Sequence, residues 1–310
     1  MKNRIYILTT VLLASIFSIN AQYNFDFGVK LGAANYLGDI GGKEQTARRF
    51  IWDMKMNQTN FSAGLYARYK FNGYYALNGS INYGKISGDD VFSENPGRNN
   101  RNLRFKNNIF EISVKNELYI FELNDVGGHG RYWVDMKMYA TGGLNLFFHN
   151  PKGRIYGTDA WYELQPLMTE GQAQPYKKVG LSIPTGLGLY FTYKRQHRFG
   201  FEMTWMTTFT DYLDDISTVY ADPASLSSDL ARDLANQTHL ITDDPAVLAN
   251  YAPPSEVTNG RRGDPNYNDS YLFSTFSYGY LIRGRPNFYT QNYGFLKGRK
   301  KTARKVRAKF

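Results

Sequence analysis

The sequence has 310 residues, of which 42% are apolar and 16% are aromatic, and none is cysteine. The missing cysteine excludes a disulfide framework, thiolate metal sites and a cysteine nucleophile. Lysine and arginine number 37 against 27 acidic residues, but ten of these cations lie between Arg283 and Lys309, where no acid occurs. The positive charge therefore belongs to a tail on a balanced body, which argues against a protein that coats nucleic acid.

The first 21 residues have the pattern of an export signal. Lys2 and Arg4 precede an apolar stretch from Ile5 to Ile19, and Ala21 follows as a small residue suited to cleavage. The apolar stretch is too short to cross a membrane comfortably, so we predict a signal peptide over residues 1–21, with a buried helix as the alternative. No apolar run of the length of a membrane-spanning helix follows it.

Period-two alternation of apolar and polar residues dominates the chain after Gln22. It first runs from Tyr23 to Ala33, then from Phe61 to Lys70, and it resumes at Tyr75 after Asn72-Gly73. Alternation of this kind predicts strands with two unlike faces, and Asn-Gly is a strong signal for a hairpin turn between two of them. A fourth predicted strand centres on Phe110 to Ile120.

The second half of the chain repeats this pattern less regularly. We predict strands over Met136 to Phe148, Leu187 to Tyr193, Phe199 to Trp205 and Tyr271 to Ile282. Pro184 suggests an irregular start or a bulge before the sixth strand, because proline cannot donate to a strand ladder. The last strand carries aromatic residues on both faces.

Eight strands result, and their connections alternate between long and short. Long segments follow the first, third, fifth and seventh strands, whereas turns such as Asn72-Gly73 and Lys194 to His197 are short. Long loops at one end and short turns at the other are typical of a bacterial outer-membrane barrel. We therefore predict an all-β, antiparallel up-and-down barrel of eight strands over residues 22–283. A further hairpin within Asp211 to Asn268 would make ten.

An eight-stranded barrel has room inside only for side chains. We expect the charged residues on the polar strand faces to point inward, pair and fill the interior, which argues against an open pore. These residues are Asp26, Lys30, Arg68, Lys70, Glu111, Lys115, Glu117, Lys137 and Glu202.

No catalytic, cofactor-binding or metal-binding residue is predicted. The four histidines are scattered and lack the spacing of a zinc site, and no serine element of a barrel lipase occurs. Asp214-Asp215 and Asp243-Asp244 could hold calcium, but they lack the regular ligand spacing of a calcium loop. In the longest loop, Asp222-Pro223 and leucines at four-residue spacing favour a short amphipathic helix, with an irregular polar loop as the alternative.

The basic tail, residues 284–310, is the second informative region. An even number of strands places both chain ends in the periplasm, where an acidic protein, anionic lipid or the cell wall are available partners and nucleic acid is absent. The predicted partner-binding residues here and at the adjoining strand end are Arg283, Arg285, Phe288, Tyr289, Lys297, Arg299, Lys300, Lys301, Arg304, Lys305, Arg307 and Lys309.

The opening strand, Phe27-Gly28-Val29-Lys30-Leu31-Gly32 followed by Asn35-Tyr36-Leu37-Gly38-Asp39-Ile40, resembles that of PorG-type outer-membrane proteins of the Bacteroidetes type IX secretion system. The resemblance implies a non-enzymatic component that associates with the periplasmic ring of PorK and PorN, with many copies of it around one ring. The alternative is an independent small barrel, similar to OmpX or OmpW, for adhesion or passage of small hydrophobic molecules. A lipid-modifying enzyme is a weaker alternative, because no serine and histidine arrangement supports it.

Overall fold

The structure is a computed structural model that describes residues 25–40, 58–93, 96–126, 134–245, 247–248 and 260–282. Eight long strands and two short ones are described. They are β1 (Phe25–Leu37), β2 (Asn60–Lys70), β3 (Tyr75–Asp89), β4 (Arg104–Leu123), β5 (Val134–Phe148), β6 (Lys152–Arg154), β7 (Trp161–Glu163), β8 (Val179–Tyr193), β9 (His197–Thr208) and β10 (Ser270–Ile282). Three short helices are described, α1 (Pro96–Arg101), α2 (Asp229–Ala235) and α3 (Thr238–Ile241).

The eight long strands form one closed antiparallel barrel. Each pairs with its neighbour along the chain, β1 pairs with β10, and the pairing of β3 with β4 leaves no open edge. The predicted fold class is thus confirmed. The short strands β6 and β7 form a hairpin in the loop after β5 that extends from the start of β4. In the loop after β9, where the sequence allows a further hairpin, the described residues contain an isolated bridge between Val219 and Arg261.

The side chains of strand β4 show why the strands close into a barrel. Its even-numbered positions Phe110, Ile112 and Val114 face outward and are roughly half exposed, whereas Glu111 and Lys115 face inward and are buried. A barrel that is apolar outside and polar inside satisfies its backbone hydrogen bonds internally and matches lipid along its wall. The chain is therefore a barrel of the outer membrane.

Aromatic side chains mark the two rims of the apolar wall. Tyr83, Phe110 and Phe148 lie side by side on the outer face towards the long loops. Phe27 and Tyr280 contact each other on the outer face at the opposite rim, with ring centroids 6.5 Å apart. Aromatic girdles of this kind occupy the two interfaces of a membrane barrel. Among the helices that the structure describes, none is long and apolar enough to cross a membrane.

Several strands extend further than the alternation predicted. β3 continues to Asp89 and β4 begins at Arg104, because Ile86, Phe105 and Ile109 turn inward above the apolar wall and pack together. β8 begins at Val179, so the prediction of an irregular start at Pro184 is wrong. The register with β5 is the same on both sides of this proline, and only the pairs opposite Gly143 and Leu144 are missing. Strand β8 accommodates the missing backbone N–H of Pro184 without a bulge.

The long loops pack into a cap over one end of the barrel. Ile40, Leu164, Leu213 and Ile216 come from three different loops and share a buried apolar cluster with the inner face of the strands, which contributes Phe105. We call these packed loops the extracellular cap, since long loops face outward in outer-membrane barrels. Burial of these apolar side chains stabilises the loops against one another.

The amphipathic helix in the longest loop exists, but it starts later than its leucine spacing and Asp222-Pro223 indicated. Asp222 caps a single 3-10 turn over Pro223–Ser225, and Ser228 caps α2. Leu226 and Leu234 are buried under the cap. Ser and Asp are both strong N-caps, so the sequence offers two possible helix starts six positions apart, and the structure uses the second one, Ser228, for α2.

Candidate functional site

Eight of the nine charged residues expected in the interior are buried there, namely Asp26, Lys30, Arg68, Glu111, Lys115, Glu117, Lys137 and Glu202. Lys70 is only partly buried. Their positions follow from the pleat, because residues two apart along a strand share one face. Mixed charges in a closed interior must pair, since an isolated buried charge is costly.

Glu202 on β9 is the centre of the first ion-pair group. Its Oε1 accepts hydrogen bonds from Lys30 Nζ at 3.0 Å and from Lys115 Nζ, and its Oε2 accepts one from the Tyr139 hydroxyl at 2.8 Å. Thr204 donates to the same carboxylate at 3.0 Å. One carboxylate therefore connects β1, β4 and β5 across the lumen to β9.

Arg68 on β2 organises the second group. Its guanidinium contacts Glu117 at 2.7 Å and Asp26 at 3.3 Å, and Asp26 also binds Arg198. All four side chains are almost fully buried. These ion pairs join β1, β2, β4 and β9.

A layer of tyrosines fills the space beside these ions. Tyr119, Tyr139 and Tyr190 lie with their ring centroids about 6 Å apart and form a buried cluster. The guanidinium carbons of Arg68 and Arg198 lie 4.9 and 4.7 Å from the Tyr190 ring, within the range of a cation–π contact. Ion pairs and rings together occupy the cross-section of the barrel.

Nearer the cap, three neutral side chains donate hydrogen bonds to one buried carboxylate. Glu111 accepts hydrogen bonds from Tyr271 at 2.7 Å, from Asn82 at 2.8 Å and from Asn145 at 3.0 Å. Towards the other rim, Lys137 contacts Glu122 at 2.5 Å, and the Nζ atom of Lys70 lies 5.1 Å from the centre of the Tyr119 ring. Side chains thus cross the lumen at several levels.

Sequence reasoning missed Arg198 and the tyrosine layer. Arg198 lies on the same face of β9 as Glu202, four positions away, but the predicted strand begins at Phe199 and so excludes it. The period-two alternation of β9, extended back to Arg198, predicts that this arginine faces inward. The tyrosines gave a weaker signal, because a tyrosine suits either face of a membrane barrel wall.

Two buried arginines hold the extracellular cap together. Arg101, from α1, contacts Asp90 at 2.6 Å and donates to the backbone carbonyl of Asp39 at 2.9 Å. Arg262 contacts Glu170 at 3.1 Å and donates to the carbonyl of Asp215 at 2.6 Å. A further hydrogen bond from Arg101 to the Arg262 carbonyl connects the two. All four long loops meet in this network.

Acidic residues gather where the cap meets the barrel. The Tyr36 hydroxyl lies 2.6 Å from Asp214 and 2.7 Å from Asp269, and the Asp39 amide contacts the same hydroxyl. Burial, with the nearby charge of Asp39, raises the pKa of Asp214 to about 7. Burial, with the charges of Asp214 and Asp39, raises the pKa of Asp211 to about 9.

The chemistry of these groups is that of packing and charge neutralisation. Among the residues that the structure describes, no group of three or more histidine, aspartate or glutamate side chains has the geometry to hold a metal ion. Asp243 and Asp244 lie exposed after α3. The predicted signal peptide and the predicted tail residues from Arg283 to Lys309 lie outside the described residues.

Comparisons with solved structures find small barrels of low sequence identity. Ail, the attachment invasion locus protein of Yersinia pestis, is 9% identical, with 83% of this chain and 98% of Ail covered and a TM-score of 0.34. The outer membrane protein OprG from Pseudomonas aeruginosa is 10% identical, with 85% and 99% covered and a TM-score of 0.35. The N-terminal β-barrel domain of OprF from the same species is 8% identical, with 85% and 100% covered and a TM-score of 0.33.

Sequence comparisons give one assignment. No curated protein matches this sequence. A family model described as a domain of unknown function, DUF6089, matches residues 3–226, which is most of the chain. The chain belongs to the DUF6089 family.

Proposed function

We propose that this barrel is a non-enzymatic outer-membrane component of the type IX secretion system that anchors the periplasmic PorK and PorN ring. The proposal begins from the resemblance of the first strand to PorG-type proteins. The observation that supports it best is the blocked lumen, in which buried ion pairs and tyrosines cross the barrel beneath a packed cap. A blocked cylinder cannot conduct a folded substrate, but it can hold a partner at its rim.

The position of the chain ends supports the same role. Phe25 pairs with Ile282, so the first and last strands begin and end together at the rim opposite the cap. A tail that follows Ile282 starts at this periplasmic rim. With many copies of the barrel around one ring, each tail would contribute one contact.

The composition of the tail indicates the kind of surface it would bind. Ten cations without an acid, interleaved with Phe288 and Tyr289, suit an acidic surface that offers apolar pockets. Lysine-rich and arginine-rich segments also bind anionic lipid. We favour an acidic face of the ring proteins, because the aromatic residues would gain most from a pocket on a protein.

Deletion of Lys297 to Phe310 from a tagged, full-length chain tests this role. We expect secretion through the type IX system to be lost, and PorK and PorN to disappear from the purified complex, while the barrel still reaches the outer membrane. As a matched control, replacing the exposed cation Arg232 in the cap with glutamine should change neither readout. Unchanged secretion and unchanged ring recovery after the deletion would refute the anchoring role.

One feature favours the alternative of an independent barrel that acts in adhesion. The extracellular cap is a packed structure with its own buried arginines, and a rigid surface is suited to binding a partner outside the cell. If the tail deletion leaves secretion intact while cap variants alter attachment of the cells to surfaces, this alternative is supported.

A further inference from the structure

Four cations gather on the outer surface of the barrel just beyond its extracellular aromatic rim. They are Lys85 on β3, Lys106 on β4, and Lys152 and Arg154 on β6. The side chain of Trp161 lies among them, with its ring centre 4.0 Å from Lys106 Nζ and 5.7 Å from the guanidinium carbon of Arg154. We call these five residues the rim patch.

The strand register brings the cations of the rim patch together on one face. Lys106 pairs directly with Lys152, and Lys85 pairs with Asn108, two positions along the same face of β4. Residues directly opposite each other on antiparallel strands have Cβ atoms roughly 5 Å apart, and like charges in this position destabilise the pair.

Acidic side chains neutralise only part of this charge. Lys152 lies 3.7 Å from Glu163, and Arg154 lies 3.5 Å from the exposed Asp159. Within the described part of the chain, Lys85 and Lys106 make no ion pair. Among the described residues, no carboxylate relieves the repulsion around Lys85 and Lys106, and an external anion would do so.

The depth of the rim patch indicates where that anion lies. Lys85 comes two residues beyond Tyr83, and Lys106 lies four residues beyond Phe110, measured away from the apolar wall. At about 3.3 Å per residue and a strand tilt near 40°, these cations stand roughly 5 to 10 Å above the aromatic rim. The headgroup layer adds roughly 5 to 8 Å on each side of the hydrocarbon core. Lys85 therefore lies at headgroup level, and Lys106 lies at the outer edge of the headgroup layer.

The direction of the side chains decides between a lipid and a soluble ligand. On β3 and β4 the residues of the patch continue the same outward row as Tyr83 and Phe110, which face lipid. The patch therefore faces sideways into the outer leaflet, whereas a soluble ligand would approach the top of the cap. Tryptophan beside cations at an interface is typical of contact with headgroups.

We propose that the rim patch binds the phosphate of an outer-leaflet glycolipid, with Lys85 and Lys106 as the principal contacts and Trp161 packed against the sugar. Paired cations around a phosphate oxygen form charge-assisted hydrogen bonds, which are stronger than neutral ones. Occupation of this site would fix the height and rotation of the barrel in the membrane.

Native mass spectrometry of the full-length protein in detergent, with bisphosphorylated lipid A as the probe, tests this site. We expect Lys85→Gln with Lys106→Gln to weaken binding of lipid A at least fivefold, and Lys85→Gln alone to weaken it less. The matched control is Lys194→Gln with Arg195→Gln, which removes two cations at the opposite rim and should leave binding unchanged. Heat-dependent migration on gels verifies that each variant is folded.

Two results would overturn the proposal. One is equal binding of lipid A by the rim-patch variant and the wild type, or equal binding of lipid A with and without its phosphates. The other is binding of soluble inositol hexakisphosphate as tight as that of lipid A and equally sensitive to the rim-patch substitutions, which would identify a general anion site and not a lipid site.

Discussion

At the scale of single residues, the lumen shows what a buried charge requires. Glu202 is the only acid that contacts Lys30 and Lys115 among the described residues, and all three side chains are almost fully buried. Removing one member of a buried ion-pair group leaves its partners charged without compensation, which costs about 3–5 kcal/mol. The residue is thus essential for stability without having a catalytic role in our proposal.

Glu202→Gln is accordingly expected to lower the free energy of unfolding by about 3–5 kcal/mol, because two lysines remain buried without a counter-charge. Urea unfolding in phospholipid vesicles, followed by gel migration, measures this change. Glu163→Gln is the control, since Glu163 is exposed and its pair with Lys178 should contribute about 1 kcal/mol or less. Similar losses in the two variants would contradict the assignment of a buried ionic centre.

At the scale of elements, the extracellular cap is held together by a hydrogen-bond and ion-pair network to which each long loop contributes at least one residue. Arg101 follows the end of β3, Glu170 belongs to the loop after β5, and Arg262 belongs to the loop after β9. Ordering a loop costs conformational entropy, and the shared arginine network and apolar cluster offset that cost for the loops together. The cap is therefore expected to order as one unit on the finished barrel.

The acidic residues under the cap predict a pH dependence. A carboxyl group whose pKa is raised on folding binds its proton more tightly in the folded state. Its stabilising effect is complete below the unfolded pKa of about 3.9 and is lost as the pH rises through the folded pKa. For Asp214 and Asp211 the loss extends to about pH 7 and about pH 9 respectively. Stability should therefore fall between pH 6 and pH 10.

Urea midpoints at pH 6, 8 and 10 measure this decline. Asp211→Asn removes a group whose pKa is about 9, so the variant should lose less stability than the wild type between pH 8 and pH 10. Asp243→Asn, a change in an exposed loop, should behave like the wild type. A wild-type midpoint that stays constant or rises over this range would show that the carboxyl groups are already ionised at pH 6.

At the scale of the whole molecule, the barrel is a sealed cylinder. Eight strands leave room only for side chains, and Arg68, Glu117, Tyr139 and Tyr190 occupy that room. We expect the reconstituted protein to show no large single-channel conductance in planar bilayers. Stable openings of the size seen for porins would contradict the blocked lumen and, with it, the role as an anchor.

Much of the barrel was predictable because one rule governs every strand. Lipid outside and a polar interior force alternation, so Asp26, Glu111 and Lys115 could be placed inward from their spacing alone. The strand ends were less predictable. Above the membrane, Ile86 and Phe105 pack inward into the cap, and the simple pattern of apolar outside and polar inside no longer holds there.

The sequence by itself determined the eight long strands of the barrel, most of their inward charges and the clustering of the long loops at one end, because each depends on local period and spacing. Only the tertiary structure decided that Glu202 serves two lysines, that Arg101 and Arg262 join the four long loops, and that Lys85 lies beside Lys106. These contacts join residues far apart in the chain, and closure of the barrel sets their register. A local sequence pattern cannot specify these long-range contacts, because they depend on which strands become neighbours.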